Sequence, residues 1–289
     1  MDWVNAVVQG LLLGGLYALF ACGLSLMFGV MRIVNLAHGD FAVLAAFGAY
    51  SVVSATPIGI LGATVVVIPL FALLGYVTQR GLIQRSLRVG PLSTLLVTFG
   101  LSIVVQNLLL QGYSADTRSL DVGRLVSASL KITDQLSVAY LSVITFALAI
   151  VVLVGLQMFL SRTGLGRMVR ASADDPEAAT LVGGDSRHIY GVATAIAFAT
   201  VALAGLMFAM RSSFDPSIGP TRLLFAFEAV VIGGLGSLWG TLAGGMVLGL
   251  AQAVGAQIDP AFTLLAGHII FLAVLAFRPQ GLIPARSVA

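Results

Sequence analysis

Apolar residues form long stretches that contain no Asp, Glu, Lys or Arg, and the charged residues are gathered between them. The charge-free stretches are 3–31, 41–79, 89–115, 135–161, 188–210, 229–258 and 260–277. A helix needs about 20 apolar residues to cross a bilayer. The second stretch is too long for one helix, and Thr56-Pro57 divides it into about 41–56 and 58–79. The pattern predicts an all-α, polytopic membrane protein with about eight transmembrane helices, within a range of seven to nine.

The stretch 229–258 carries four glycines close together, at positions 233, 234, 236 and 240. Irregular backbone at membrane depth is tolerated where it is buried in protein or lines a cavity. We therefore expect a broken or re-entrant helix near 223–257. Elsewhere small residues recur at four-residue spacing, as at Gly10 and Gly14, which allows helix backbones to approach closely in lipid.

The composition agrees with a membrane protein. Of 289 residues, 58% are hydrophobic and 9% are charged, whereas a soluble domain carries about 25% charged residues. This excludes a soluble globular enzyme and a disordered chain. The net charge is +3 without a basic patch interleaved with aromatic residues, so no nucleic-acid partner is expected. The single cysteine, Cys22, lies in an apolar run and is expected to pack as a small hydrophobic residue.

The basic residues divide unequally between the two sides of the predicted bundle. Ten fall on one side: Arg32, Arg80, Arg85, Arg88, Arg162, Arg167, Arg170, Arg187, Arg278 and Arg286. Five fall on the other: Arg118, Arg124, Lys131, Arg211 and Arg222. The positive-inside rule places the first set in the cytoplasm, the N-terminus outside and the C-terminus inside. The segment 113–137 is then an extracytoplasmic loop of a single transmembrane domain spanning 1–289.

Motifs for enzymatic chemistry are absent from the sequence. It contains no G-x-x-x-x-G-K-[ST], H-E-x-x-H, C-x-x-C or G-x-S-x-G pattern, and its three histidines lack ligand spacing. We therefore expect neither a cofactor nor a metal, and no enzymatic activity in the chain itself.

The cytoplasmic segment 162–187 contains the signals of a short helix. Asp174 or Asp175 can cap it, and Pro176 with Glu177 forms a typical first turn. An apolar face follows, and Gly183-Gly184 ends the helix; that face consists of Ala178, Ala179, Leu181 and Val182. A short helix of about 174–183 with small residues suits docking into a groove on a partner, although an interfacial anchor is the alternative.

These residues carry a family resemblance. Glu177-Ala178-Ala179-x-x-x-Gly183 resembles the EAA loop of ABC-importer permeases, and with Arg170-Ala171-x-Ala173 the segment resembles the LivH/LivM group. The sequence from Tyr17 to Asp40 resembles the N-terminal signature of the LivH half. Further matches are Thr98–Ile103 with Gln106-Asn107, Gly233–Ser237 and Arg278–Leu282. The resemblance covers nearly the whole chain.

The resemblance implies a permease subunit in a bacterial inner membrane that forms half of a pathway for branched-chain amino acids, urea or short amides. Its implied partners are a LivM-type permease, two cytoplasmic ATPase subunits that hydrolyse ATP, and an extracytoplasmic solute-binding protein. The short helix would be the coupling helix that fits the ATPase. The coupling residues would then be Arg170, Asp174, Asp175, Glu177, Ala178, Ala179 and Gly183.

Polar residues and glycines at membrane depth are the candidate pathway residues, because such polar groups usually face a cavity or a partner. They are Asn35, His38, Asp40, Gln106, Asn107, Glu228, Gly234 and Gly236. Alternatives stay open at this point. Residues 35–40 suit a cytoplasmic loop in which Asp40 pairs with Arg32 or caps the next helix. Gln106 and Asn107 suit hydrogen bonds between helices, and Glu228 suits a pair with Arg222, a helix cap or the pathway.

Two other classes of protein remain as alternatives. A stand-alone secondary transporter or channel would use Asp40 or Glu228 as its ion site. An intramembrane enzyme would need a nucleophile or metal constellation, and the sequence offers none. The transported solute is left open among amino acids, urea and amides.

Overall fold

A computed structural model describes residues 2–120, 123, 128–133, 136–181 and 183–284. The first half comprises α1 (Asp2–Met31), α2 (His38–Ala55), α3 (Gly59–Thr78), a π-helical turn (Gln79–Ile83), α4 (Gln84–Leu87) and α5 (Pro91–Tyr113). A hairpin follows, with β1 (Ser129–Thr133) and β2 (Leu136–Ala139). The second half comprises α6 (Tyr140–Arg162), α7 (Gly164–Asp174), α8 (Pro176–Leu181), α9 (Ser186–Arg211), α10 (Gly219–Gly233), α11 (Leu238–Ile258) and α12 (Phe262–Phe277).

The helices match the predicted spans. In the described part of the chain, six helices are long and apolar enough to cross a membrane: α1, α3 extended to Leu87, α5, α6, α9 and α11. The remaining predicted spans, 41–56 and 260–277, correspond to α2 and α12, which are shorter. The prediction of an all-α, polytopic membrane protein is confirmed.

Helix α1 lies at the centre of the bundle and packs antiparallel to α11 through glycines. A Cβ atom added to Gly14 would lie 2.5 Å from the Cα atom of Met246, and one added to Gly249 would lie 2.4 Å from the carbonyl oxygen of Gly10. Small residues therefore allow the two backbones to touch, as the four-residue spacing predicted. By contrast, α3, α5, α6 and α12 expose broad apolar faces, as expected of helices that border lipid.

The glycine-rich stretch breaks the helix, as predicted. Helix α10 ends at Gly233 and α11 begins at Leu238, and between them Gly234 and Gly236 adopt φ angles of 114° and 79°. The C-terminal segment closes this break, because Leu282 and Ile283 donate backbone hydrogen bonds of 2.9 Å to the carbonyls of Ile232 and Gly233. Carbonyls at a helix end that would otherwise lack partners are thereby satisfied.

The loop 113–137 contains an element that the sequence analysis did not predict. Strands β1 and β2 pair antiparallel there, with Ser129 opposite Ala139. Parts of the loop, including Arg124, lie outside the described residues, as does Arg286. We call the end of the bundle that carries this hairpin the hairpin end, and the opposite end, which carries Arg85 and Arg187, the basic end.

Candidate functional site

Helix α2 begins deep inside the bundle and not at its surface. After α1 ends, residues 32–37 are non-helical, and the Nε2 atom of His38 lies 2.9 Å from the carbonyl oxygen of Phe20. Phe20 lies about 16 Å from Met31 along α1 at about 1.5 Å per residue. The hydrocarbon core of a bilayer is about 30 Å thick, so α2 starts near the middle of the membrane. The cytoplasmic-loop alternative for residues 35–40 is therefore wrong, because all of these residues except the partly buried Leu36 are buried within the helix bundle.

Three polar side chains of this segment are fully buried. Asn35 and His38 are 0% exposed and Asp40 is 1% exposed. Within the described residues, the Nδ2 atom of Asn35, the Nδ1 atom of His38 and the Oδ2 atom of Asp40 have no hydrogen-bond partner. Leaving a buried polar atom unpaired costs about 1–3 kcal/mol, so such atoms gathered at one place point to a functional role.

Helix α5 supplies a polar wall beside this segment. The Nε2 atom of Gln106 donates to the Oδ1 atom of Asp40 at 2.9 Å, and the same atom lies 3.1 Å from the Oγ atom of Ser102. Asp40 therefore does not pair with Arg32, and the N-cap of α2 has no side-chain hydrogen bond. Gln106 makes the expected bond between helices. Asn107 instead lies on the exposed face of α5 and bonds to the carbonyl of Ile103, so the fold separates it from the others.

Helix α10 also begins at this depth. A Cβ atom on Gly39 would lie 2.0 Å from the carbonyl oxygen of Gly219, so the first turns of α2 and α10 touch backbone to backbone. Helices that start inside the membrane are typical of solute-binding sites in transporters. Gly234 and Gly236 lie elsewhere: Gly234 packs on the C-terminal segment, and Gly236 packs near Gly29 at the basic end.

Glu228 takes a partner that the sequence analysis did not consider. Its Oε1 atom lies 2.5 Å from the Nδ1 atom of His268 on α12, and the carboxylate is 1% exposed. The predicted alternative of a pair with Arg222 is therefore wrong. The Oε2 atom of Glu228 has no hydrogen-bond partner in the described part of the chain.

A further polar cluster was missed by the sequence analysis. Tyr17 donates a 2.5 Å hydrogen bond to the Oε1 atom of Gln252, and it interacts electrostatically with Arg211, Arg222 and Glu228. The sequence analysis placed both arginines on the extracytoplasmic side by the positive-inside rule and considered Arg222 only as a partner of Glu228. The available signal was that Arg211 directly follows the apolar stretch 188–210 and that Arg222 directly precedes the predicted broken helix near 223–257. Their convergence on Tyr17 depends on the tertiary fold. We call Tyr17, Arg211, Arg222 and Gln252 the Tyr17 cluster.

The segment predicted to couple to an ATPase is a two-helix unit at the basic end. Thr163 caps α7, and Asp175 caps α8 by accepting hydrogen bonds of 2.9 and 3.0 Å from the backbone of Glu177 and Ala178. The cap is therefore Asp175, since Asp174 is the last residue of α7. Gly183 follows α8 with a φ angle of 89°, a conformation that favours glycine.

Helix α8 projects from the protein. Ala179 is 3% exposed and fixes the helix to the protein, whereas Leu181 is 89% exposed. The other predicted coupling residues are exposed as well: Arg170, Asp174, Asp175, Glu177, Ala178 and Gly183. Val182, predicted to belong to the apolar face, lies outside the described residues. The basic end also carries a cavity of about 200 Å³ lined by Arg80, Gln84, Arg85, Arg88 and Arg187.

Several known proteins are similar to this chain. The family model of the branched-chain amino acid transport system permease component matches residues 6–275. The permease protein BraD of a Pseudomonas aeruginosa high-affinity branched-chain amino acid transport system is 30% identical, over 97% of this chain and 95% of BraD. LivH of Escherichia coli is 25% identical over 97% of this chain and 95% of LivH. A chain of the PsaBC–Fab complex from Streptococcus pneumoniae aligns with a TM-score of 0.49 and 16% identity, over 96% of this chain and 91% of that one.

The apolar helix bundle and its full-length relatives define a multi-pass membrane permease, a subunit of an importer. More specifically, the chain belongs to the family of branched-chain amino acid transport system permease components.

Proposed function

We propose that this chain forms half of the translocation pathway of an ABC importer for branched-chain amino acids or a related small solute such as urea or a short amide. Its partners are a LivM-type permease, two cytoplasmic ATPase subunits that hydrolyse ATP, and an extracytoplasmic solute-binding protein. The family match and the names of BraD and LivH support this solute class. A LivM protein of Escherichia coli is itself 31% identical over 49% of this chain and 35% of LivM, which supports a pair of related permeases.

The exposed helix α8, within the proposed coupling segment 162–187, is the observation that best supports transport driven by partner ATPases. The positive-inside rule places the basic end in the cytoplasm, where ATPase subunits would reach this helix. The N-terminus then lies outside and the C-terminus inside. The segment 113–137 with its hairpin is extracytoplasmic, and residues 1–289 act as one transmembrane domain.

The fold offers a short mechanical route from α8 to the membrane interior. Helix α9 begins at Ser186, at the end of the coupling segment, and contacts α2 further along. A Cβ atom on Gly205 would lie 2.1 Å from the carbonyl oxygen of Ala42, so the two backbones are in contact two residues from Asp40. Closure of the ATPase dimer would move α8, and α9 would transmit the displacement to the start of α2. This is alternating access driven from the cytoplasm.

The pathway itself is proposed to run past the buried start of α2. Asn35, His38, Asp40 and Gln106 line it there, and Glu228 contributes a further polar group. The backbone around Gly234 and Gly236 provides the break that lets α10 and α11 move separately. The Asn107 side chain faces away from this region and is not proposed as a pathway residue.

Purification in mild detergent tests the proposed assembly. An ATPase and a second permease should copurify with the chain, and proteoliposomes of the complex with the binding protein should import leucine, isoleucine or valine only with ATP on the ATPase side. Uptake driven by an ion gradient, without any associated ATPase, would instead establish the secondary-transporter alternative.

Asp40→Asn tests the pathway assignment. Asparagine keeps an oxygen for Gln106 but replaces the unpartnered Oδ2 atom with a donor, so we expect uptake to fall at least about tenfold while the ATPase complex still assembles. Uptake is measured in proteoliposomes, with Asn107→Ala as the matched control expected to stay within about twofold of wild type. Normal uptake by the Asp40→Asn protein would show that Asp40 only anchors Gln106.

A further inference from the structure

Two arginines reach the interior of the bundle and form no ion pair with a described residue. Arg211 ends α9 and Arg222 lies in the first turn of α10, and both interact electrostatically with Tyr17 on α1. Both side chains are only partly exposed. Within the described residues the ion pairs are Arg118 with Asp116 and His268 with Glu228, so neither arginine of the Tyr17 cluster forms one. An ionisable group at membrane depth is by default a functional candidate.

The unpaired groups of the Tyr17 cluster are all hydrogen-bond donors. The Nη1 atom of Arg211, the Nε atom of Arg222 and the Nε2 atom of Gln252 are buried and have no partner among the described residues. Gln252 uses its oxygen to accept the hydrogen bond from Tyr17, which leaves its amide NH₂ group to donate. Arginine has no acceptor and stays charged in proteins. These three donors therefore lack an acceptor, and an anionic acceptor would suit the two arginines best.

Two carboxylates interact electrostatically with members of this cluster, Glu228 with Tyr17 and Asp215 with Arg222. The Oε1 atom of Glu228 bonds to His268 at 2.5 Å, and its Oε2 atom has no partner among the described residues. Asp215 interacts electrostatically with Arg222, but its Oδ1 atom accepts hydrogen bonds from the backbone and hydroxyl of Ser217, at 2.9 and 2.5 Å. Neither carboxylate comes within ion-pair distance of an arginine in the described part of the chain.

The guanidinium of Arg222 is oriented by two aromatic rings. Its central carbon lies 4.1 Å from the ring centre of Phe208 and 5.7 Å from that of Phe225. Stacking on a ring occupies the face of a guanidinium and leaves its N–H edge available, and this planar edge matches the two oxygens of a carboxylate. The packing therefore prepares the edge of Arg222 for an anion.

We propose that the Tyr17 cluster binds the carboxylate of the transported solute. Arg222 and Arg211 supply charged donors, Gln252 supplies a neutral one, and Tyr17 fixes the orientation of the Gln252 amide. The inference rests on the proposed function. It narrows the solute class to molecules that carry a carboxylate and excludes urea and neutral amides.

Ligand binding to the purified complex of the permeases and ATPases, without the binding protein, tests this directly. The carboxylate probes are L-leucine and 4-methylpentanoate. The amide of each probe and urea serve as the neutral comparisons. We expect the two carboxylates at millimolar concentration to raise the melting temperature by roughly 2 °C and the amides and urea to leave it unchanged. Arg222→Gln and Arg211→Gln should each remove the shift, and Arg222→Lys should restore only part of it.

Uptake provides the second measurement. Arg222→Gln should lower leucine import into proteoliposomes at least about tenfold, while the permeases and ATPases still assemble. Arg118→Gln removes a half-buried arginine near the hairpin that pairs with Asp116, and it is the matched control, expected to stay within about twofold. Any of three results would overturn the inference. The carboxylate and its amide could raise the melting temperature equally, neither carboxylate could raise it, or the Arg222→Gln protein could show normal uptake. Failure of the proposed function can be told apart from failure of this inference, because in that case no ATPase would copurify with the chain.

Discussion

Replacing Glu177 with arginine and Gly183 with tryptophan in one protein should abolish ATP-dependent uptake. Glu177 lies exposed in the first turn of α8, and the substitution reverses the charge that a partner groove would meet. Gly183 has a φ angle of 89°, so a bulky residue there strains the turn that ends α8. Neither position lies within the membrane bundle, so the double variant should insert normally. The measurements are solute uptake and ATPase activity in proteoliposomes, which should become uncoupled.

A matched control keeps this result specific. Ser161→Arg adds a positive charge at an exposed site near the end of α6, at the same end of the protein but outside the proposed coupling residues. It should leave uptake within about twofold of wild type. Normal uptake by the Glu177→Arg/Gly183→Trp protein would remove the coupling role from α8.

Gly39→Val should prevent formation of a stable permease. Its first side-chain carbon would lie 2.0 Å from the carbonyl oxygen of Gly219, and a backbone oxygen cannot rotate away as a flexible side chain can. Overpacking costs about 1–3 kcal/mol where side chains relax, and a forced separation of α2 and α10 should cost at least the upper value. We expect little monodisperse protein after solubilisation and a melting temperature lowered by at least about 5 °C.

Gly100→Val is the control for this substitution. Gly100 also lies in a membrane-spanning helix, but a Cβ atom there meets no atom of the described residues within 4 Å. The control should be stable to within about 1 kcal/mol of wild type. Equal stability of the two variants would mean that α2 and α10 can separate without loss of the fold.

The spans and the helix ends were predictable because they depend on local chemistry. Uninterrupted apolar length located the spans, Pro57 divided α2 from α3, and the glycines marked the break after Gly233. The cap at the start of α8 was predicted as one of two aspartates, and the structure selects Asp175. Each of these signals acts within a few residues of its consequence.

The depth of a residue within the bundle was not predictable from such signals. The polar sequence around His38 reads as a loop between two spans, and only the contact with Phe20 places it at membrane mid-depth. The partners of Glu228 and Tyr17 are distant in the chain, at His268 and Gln252. The hairpin was missed because its strands are short and lie in a segment of mixed polarity.

The closure of the helix break by the C-terminal segment has a consequence for biogenesis. The carbonyls of Ile232 and Gly233 accept their hydrogen bonds from Leu282 and Ile283, which the ribosome adds about fifty residues later. Two helices, α11 and α12, must therefore be synthesised and inserted before the end of α10 is complete. Residues 281–283 must return to a helix that was made long before, and until they do these two carbonyls depend on another donor such as water.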